Sequence, residues 1–183
     1  MDFGHVLVVI DYRTGRVRCH VPGRSPHPVA APRASWGSAE HPAGLERPRA
    51  SWTVSATAAL ATVFAVKNAG PGTTAMRRVT TVIRAAASTC RRPATPAQAE
   101  AAVLAVRRAA WLFPGRAACL EESAATVLLL ATRRLSVTWC HGVAPDPVRL
   151  HAWVQTVDGA LVAEPGSTRS YTPVLVIGDH RDH

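Results

Sequence analysis

A change of period is what most constrains this chain. Between about residues 53 and 133 apolar side chains recur every three or four positions; from Leu135 onward they recur at every second. A helix has 3.6 residues per turn and a strand alternates its faces, so the order reads as helices first and antiparallel sheet afterwards. That is an α+β architecture, not a doubly wound one. Helices are predicted over about 53–68, 73–88 and 95–110, separated by Gly70-Pro71-Gly72 and Arg91-Arg92-Pro93. Thr95-Pro96 suits a helix start, with Thr as N-cap and Pro at the first helical position. Ala99, Ala102, Val103, Val106 and Ala110 then trace one apolar face. Phe113-Pro114-Gly115 breaks the chain, and a fourth helix is predicted from about Ala118 to Arg133, burying Leu120, Ala124, Val127, Leu128 and Ala131.

The strand region begins with Leu135, Val137 and Trp139 and turns at Pro145-Asp146-Pro147. It continues with Val148–Val157 and Ala160–Glu164 flanking Asp158-Gly159, and ends with Tyr171–Ile177. Asp-Gly between two strands signals a two-residue hairpin. At the other end, VLVVIDYRTGRVRCHV reads as a hairpin around Arg13-Thr14-Gly15. From Pro22 to Pro48 the chain is crowded with Pro, Ser, Gly and His and shows no period, as a linker does. The pentapeptide PRASW stands at both 32–36 and 48–52, too little to define a repeat. Three parts follow: a hairpin appendage at 1–21, a linker at 22–49 and a single domain at 50–183.

Twenty-one basic against 12 acidic residues give a formal charge of +9, which raises nucleic acid or an anionic membrane as a partner. Lys67 is the only lysine, the arginines are scattered in pairs, and no nucleic-acid module surrounds them, so the surplus reads as compositional bias. An acidic peptide substrate fits the charge as well. The apolar start lacks a basic stretch before it, unlike a secretory signal. The longest uncharged run, Ala50–Val66, is too rich in Ser, Thr and Ala for a membrane span. Cys19, Cys90, Cys119 and Cys140 are widely spaced, as in a reduced cytoplasmic protein rather than a zinc ribbon or a disulfide scaffold. With neither a P-loop nor H-E-x-x-H, no metal or nucleotide cofactor is expected.

Two residues stand out chemically. Cys119 falls at a helix start, where unpaired backbone amides and the positive end of the helix dipole favour a thiolate. Glu121 and Glu122 suit that terminus but oppose a thiolate if they face it. His151 stands mid-strand in RLHAWVQ, on the face of Trp153. If Asp158 and Gly159 alone form the turn, Trp153 opposes Glu164, and Glu164 lies diagonal to His151 at roughly 7–8 Å between backbones. A carboxylate there can orient the imidazole, the third role of a nucleophile, base and acid set. A three-residue turn reverses the parity and sends Glu164 to the other face. Cys140 and His141, adjacent in a strand, point apart and cannot act jointly. His180 and His183 close a polar tail, and Asp146 and Asp158 are turn-formers.

In order and spacing, AACLEESAATVLLL, TWCHGVAPDPVRLHAWVQTVDGALVAEP and the upstream RRPATPAQAEAAVLAVRRA resemble the B2 proteins of lasso peptide biosynthesis, transglutaminase-like leader peptidases. The likeness covers about residues 53–177. It implies a papain-like core with helices packed on an antiparallel sheet, a Cys119 nucleophile, a His151 base and Glu164 as acid, where many relatives carry aspartate. CLEES also departs from the common CLxRS at Glu122. The family's activity is removal of the leader from a ribosomally made precursor peptide, without a cofactor. Its partners are a separate leader-binding B1 protein and a macrolactam synthetase, with neither nucleic acid nor membrane involved. VLVVIDYRTGRV is loosely similar to the opening hairpin of the leader-binding proteins. Acyl transfer to an amine, or a scaffold with a decayed triad, are the alternative readings.

Overall fold

Helix α4, Cys119–Ala131, is the element around which the others are arranged. It packs against α1 (Thr53–Asn68), α2 (Ala75–Ser88), α3 (Pro96–Leu112) and strand β6 (Val148–Gln155). Ala124, Ala125, Leu129 and Leu130 are all fully buried. The one-sided stripe expected of α4 is therefore wider in fact, because neighbours surround the helix. Leu128 and Ala131, expected inside, are only half-buried. The computed structural model describes residues 2–4, 6–21, 52–145 and 147–178. The predicted linker at 22–49, the first PRASW, Asp146, His180 and His183 lie outside them.

α3 begins as its sequence predicts. The Thr95 hydroxyl accepts from the Gln98 N–H at 3.3 Å, the Gln98 side chain accepts from the Thr95 N–H at 3.0 Å, and Pro96 opens the helix. Of its expected face, Ala99, Ala102, Val103 and Val106 are buried. So, unexpectedly, is Arg107, at 7% exposure.

The main sheet has the order β6-β5-β7, with β5 Thr138–Pro145, β7 Thr172–Ile177 and both pairings antiparallel. Cys140 pairs with Trp153 and Gly142 with His151, so these four share one face; Trp139, His141, Ala152 and Val154 share the other. Trp139, fully buried, donates its indole N–H to the Ser123 hydroxyl at 2.9 Å and ties the first turns of α4 to β5. This is the structural use of the serine in CLEES. A short parallel pair, β3 (Arg92–Pro93) with β4 (Leu135–Ser136), was not foreseen and joins the α2–α3 connection to the start of the sheet.

The N-terminal hairpin forms from β1 (Leu7–Asp11) and β2 (Arg16–His20). Two strands alone are marginal in water. Here Val6 and Val8 are buried against Val143 and Leu150, each such burial contributing on the order of 1.5–3 kcal/mol. The expected appendage is thus packed on the sheet, and its Tyr12 hydroxyl lies 2.7 Å from His141 Nδ1.

The turn after β6 differs from expectation. Thr156 and Ala160 pair across Val157, Asp158 and Gly159: the Thr156 N–H donates to the Ala160 carbonyl at 2.9 Å, and Gln155 bridges Leu161. This is a three-residue turn with Gly159 at φ 87°, a left-handed conformation that glycine adopts without strain. Ala160–Glu164 does not continue as a strand, because Ala163 also turns left-handed, at φ 50°.

Candidate active site

Cys119 is the first residue of α4, half-buried and free of disulfide bonding. The helix starts there because Pro114 and Gly115 break the preceding segment and Ala118 is extended at φ −122°. Glu121 reaches back so that its carboxylate accepts the Ala118 N–H at 3.0 Å, half of a capping box. That carboxylate is buried and also pairs with the ammonium of Lys67 on α1. Glu122 lies 3.5 Å from the guanidinium of Arg107 on α3. Both acids beside Cys119 are thus matched by cations, which removes the conflict their charges raised in the sequence. The chain's single lysine serves this end.

The three residues singled out in the sequence come together. The His151 Nε2 lies 2.8 Å from Glu164 Oε2, and the Cys119 thiol is near enough to the ring to raise its pKa. His151 is largely buried, its side chain 15% exposed, and Glu164 is more so at 5%. Burial by itself lowers an imidazole pKa. The hydrogen bonds and negative charges of Cys119 and Glu164 outweigh it and raise His151 to about 9. Protonated, the ring donates Nε2–H to the carboxylate.

Glu164 arrives by a route other than the one expected. With Thr156 opposite Ala160 and Gln155 opposite Leu161, straight extension puts Glu164 opposite Ala152, on the face away from His151. The left-handed step at Ala163 turns the chain over and returns Glu164 to the His151 side. For a residue with a Cβ this costs roughly 1–2 kcal/mol and must be held by its surroundings. Arg107 holds it: Nη1 donates to the Ala163 carbonyl at 2.5 Å and Nη2 to Glu164 Oε1 at 2.7 Å. Thr168 adds a hydroxyl donated to Glu164 Oε2 at 3.1 Å.

Aromatic rings fix the imidazole from the side. Trp153 stacks on His151 at 5.8 Å and 13°, and Tyr171 lies 5.2 Å away at 47°. Gly142, directly across from His151, makes this possible: a Cβ there would stand 2.8 Å from the Trp153 ring and 2.7 Å from the Thr172 carbonyl. On the opposite face, buried His141 stacks on Trp139 at 6.1 Å. Burial, and then the charge of His151, lower His141 to about 4. Cys140 points the other way, among Ala144, Trp153 and Tyr171, and burial raises its thiol to about 12.

Arg107 and Thr168 were missed in the sequence. Arg107 left a signal, since it stands four residues after Val103 and three before Ala110, inside the apolar stripe of α3. A cation at that position needs a buried anion. Thr168, in a short 3-10 turn over Gly166–Ser170, left none. Among the described residues, no group of three or more His, Cys, Asp or Glu is placed to hold a metal. Among them too, no helix is long and apolar enough to cross a membrane.

A family model for the transglutaminase-like superfamily matches residues 69–176, more than half of the chain. The chain belongs to that superfamily, whose members include cysteine proteases and acyltransferases and are typically cysteine-dependent enzymes. Neither curated proteins nor solved structures give a match.

Proposed function

We propose that this member of the transglutaminase-like superfamily is a cysteine peptidase that removes the leader from a ribosomally made precursor in lasso peptide maturation. The observation that carries the reading is a single imidazole, hydrogen-bonded to a buried carboxylate and with its pKa raised also by the thiol at the start of α4. The likeness of CLEES, W-C-x-G-V and HAWV to leader peptidases supplies the substrate class.

In this reading Cys119 Sγ, as thiolate, attacks the carbonyl carbon at the leader–core junction, forming a carbon–sulfur bond and an oxyanion. The first-turn N–H of Cys119 has no intrahelical acceptor and faces that oxyanion. His151 gives its proton to the departing amine, the C–N bond breaks, and a thioester remains. Neutral His151 then takes a proton from water, whose oxygen attacks the thioester. The carboxylic acid leaves, Cys119 returns as thiolate and His151 as imidazolium. Glu164 keeps the ring oriented in both halves and stabilises its charge. The partners of the reading are a leader-binding B1 protein and a macrolactam synthetase, and its compartment is the cytoplasm.

The test is reconstitution with a synthetic precursor, a leader-binding protein and the purified chain, read by intact mass. Separate leader and core, together heavier than the precursor by one water, are expected, with none formed by Cys119→Ala. A product carrying an added amine identifies an acyltransferase instead. Undiminished cleavage by Cys119→Ala removes the catalytic assignment.

A further inference from the structure

Cys119 and Glu122 are three residues apart on α4 and so share one side of its first turn. Cys119 acts on the charge of His151 on β6, and from His151 the contacts run to Glu164 in the loop after β6, on to Arg107 on α3, and back to Glu122. The circuit closes on the helix where it began, and its charges alternate at every step when the thiol is ionised. Arg107 is the only member that touches two others through separate nitrogens and a backbone carbonyl as well.

We infer that Arg107 is a positioning residue for the proposed site, holding Glu164 against His151 by gripping the Ala163 carbonyl and the Glu164 carboxylate with one guanidinium. The fork decides two things together. Its grip on the Ala163 carbonyl fixes the left-handed turn that brings Glu164 to the right face. Its grip on Oε1 leaves Oε2 for His151 and Thr168. Glu122 anchors the same guanidinium to the nucleophile helix, so acid and thiol are placed by a shared reference. A planar, rigid fork suits this, and an ammonium does not.

The inference rests on the proposed roles of Cys119, His151 and Glu164, yet its test needs no substrate. The imidazole of His151 is titrated by NMR in the full chain and in Arg107→Gln and Arg107→Lys, with assignment by His151→Gln. The charged groups facing the ring are Cys119 and Glu164, with His141 close enough to feel its charge. If Arg107 positions Glu164, Arg107→Gln releases the carboxylate and the pKa of His151 falls by about one unit or more, a tenfold weaker proton affinity. Arg107→Lys, which keeps the charge and loses the fork, recovers only part of that fall. If Arg107 merely balances charge, removing a cation raises the His151 pKa and lysine restores it fully; either result overturns the inference. Should Arg107→Gln fail to fold, Arg107→Lys alone decides: wild-type titration contradicts the inference, and a lowered pKa supports it. Loss of leader cleavage in the reconstituted system bears on the proposed function and leaves this readout untouched.

Discussion

Among the described residues two largely buried imidazoles stand on neighbouring strands, and their pKa values are shifted in opposite directions. His141 on β5 is pushed down to about 4, by burial first and then by the charge of His151. Its Nδ1 meets the hydroxyl of Tyr12, whose pKa is raised by burial, so that partner stays neutral. His151 on β6 suffers the same burial, but faces Cys119 and Glu164, and stands at about 9. Burial is common to both. The charge of the partner decides which ring is a neutral structural link and which stays protonated through neutral pH.

Breaking the His151 side should have the largest effect. In the proposed mechanism His151→Gln removes general acid and base together, so it is expected to reduce leader cleavage on the order of a thousandfold or more, measured as single-turnover rate. Glu164→Gln should lower the rate by roughly a hundredfold or more and bring the His151 titration down towards 6.5 or below; a rate loss with no shift in that titration would separate the acid from the imidazole.

The two rings also leave opposite marks on stability. His141 has a folded pKa below its unfolded value, so its contribution is present above about pH 6.5 and is lost as pH falls towards 4. His151 has a folded pKa above its unfolded value, so its contribution is present below about 6.5 and is lost as pH rises towards 9. Each limb has a slope near 1.4 kcal/mol per pH unit at most. Denaturant unfolding across pH 4–9 should therefore lose its acid slope in His141→Phe and its alkaline slope in His151→Gln. Exchange of those outcomes contradicts the assignment.

Gly142→Ala sharpens the role of packing. Overfilling at Trp153 should cost about 1–3 kcal/mol, visible as a lower Tm, and should disturb His151 more than His141. Tyr12→Phe probes the other ring. It leaves a buried nitrogen without its hydroxyl and should cost about 1–3 kcal/mol with the His151 titration unmoved.

What sequence reveals here follows a physical line. The period change at Leu135, the Thr95-Pro96 cap and the helix start at Cys119 are local properties, and each is found where it was expected. Glu164 was named, but through a two-residue turn that the structure replaces with three residues and a left-handed Ala163. Non-glycine residues carry no sequence mark for that conformation, because it is imposed by Arg107 from 56 positions away in the chain. Lys67 and Arg107 act through contacts between distant elements, and Thr168 reaches Glu164 from four residues on, across an irregular loop. Only Arg107, a cation inside an apolar stripe, was open to inference beforehand.

The most direct test follows both rings in one titration. Among the chain's eight histidines, His141 and His151 are assigned by their single substitutions and followed by NMR from pH 3.5 to 10. His151 should titrate near 9 and His141 near 4, with His151 falling below 6.5 when Cys119→Ala and Glu164→Gln are combined. Two rings titrating together near 6.5, or a His151 unmoved by loss of both partners, would contradict it.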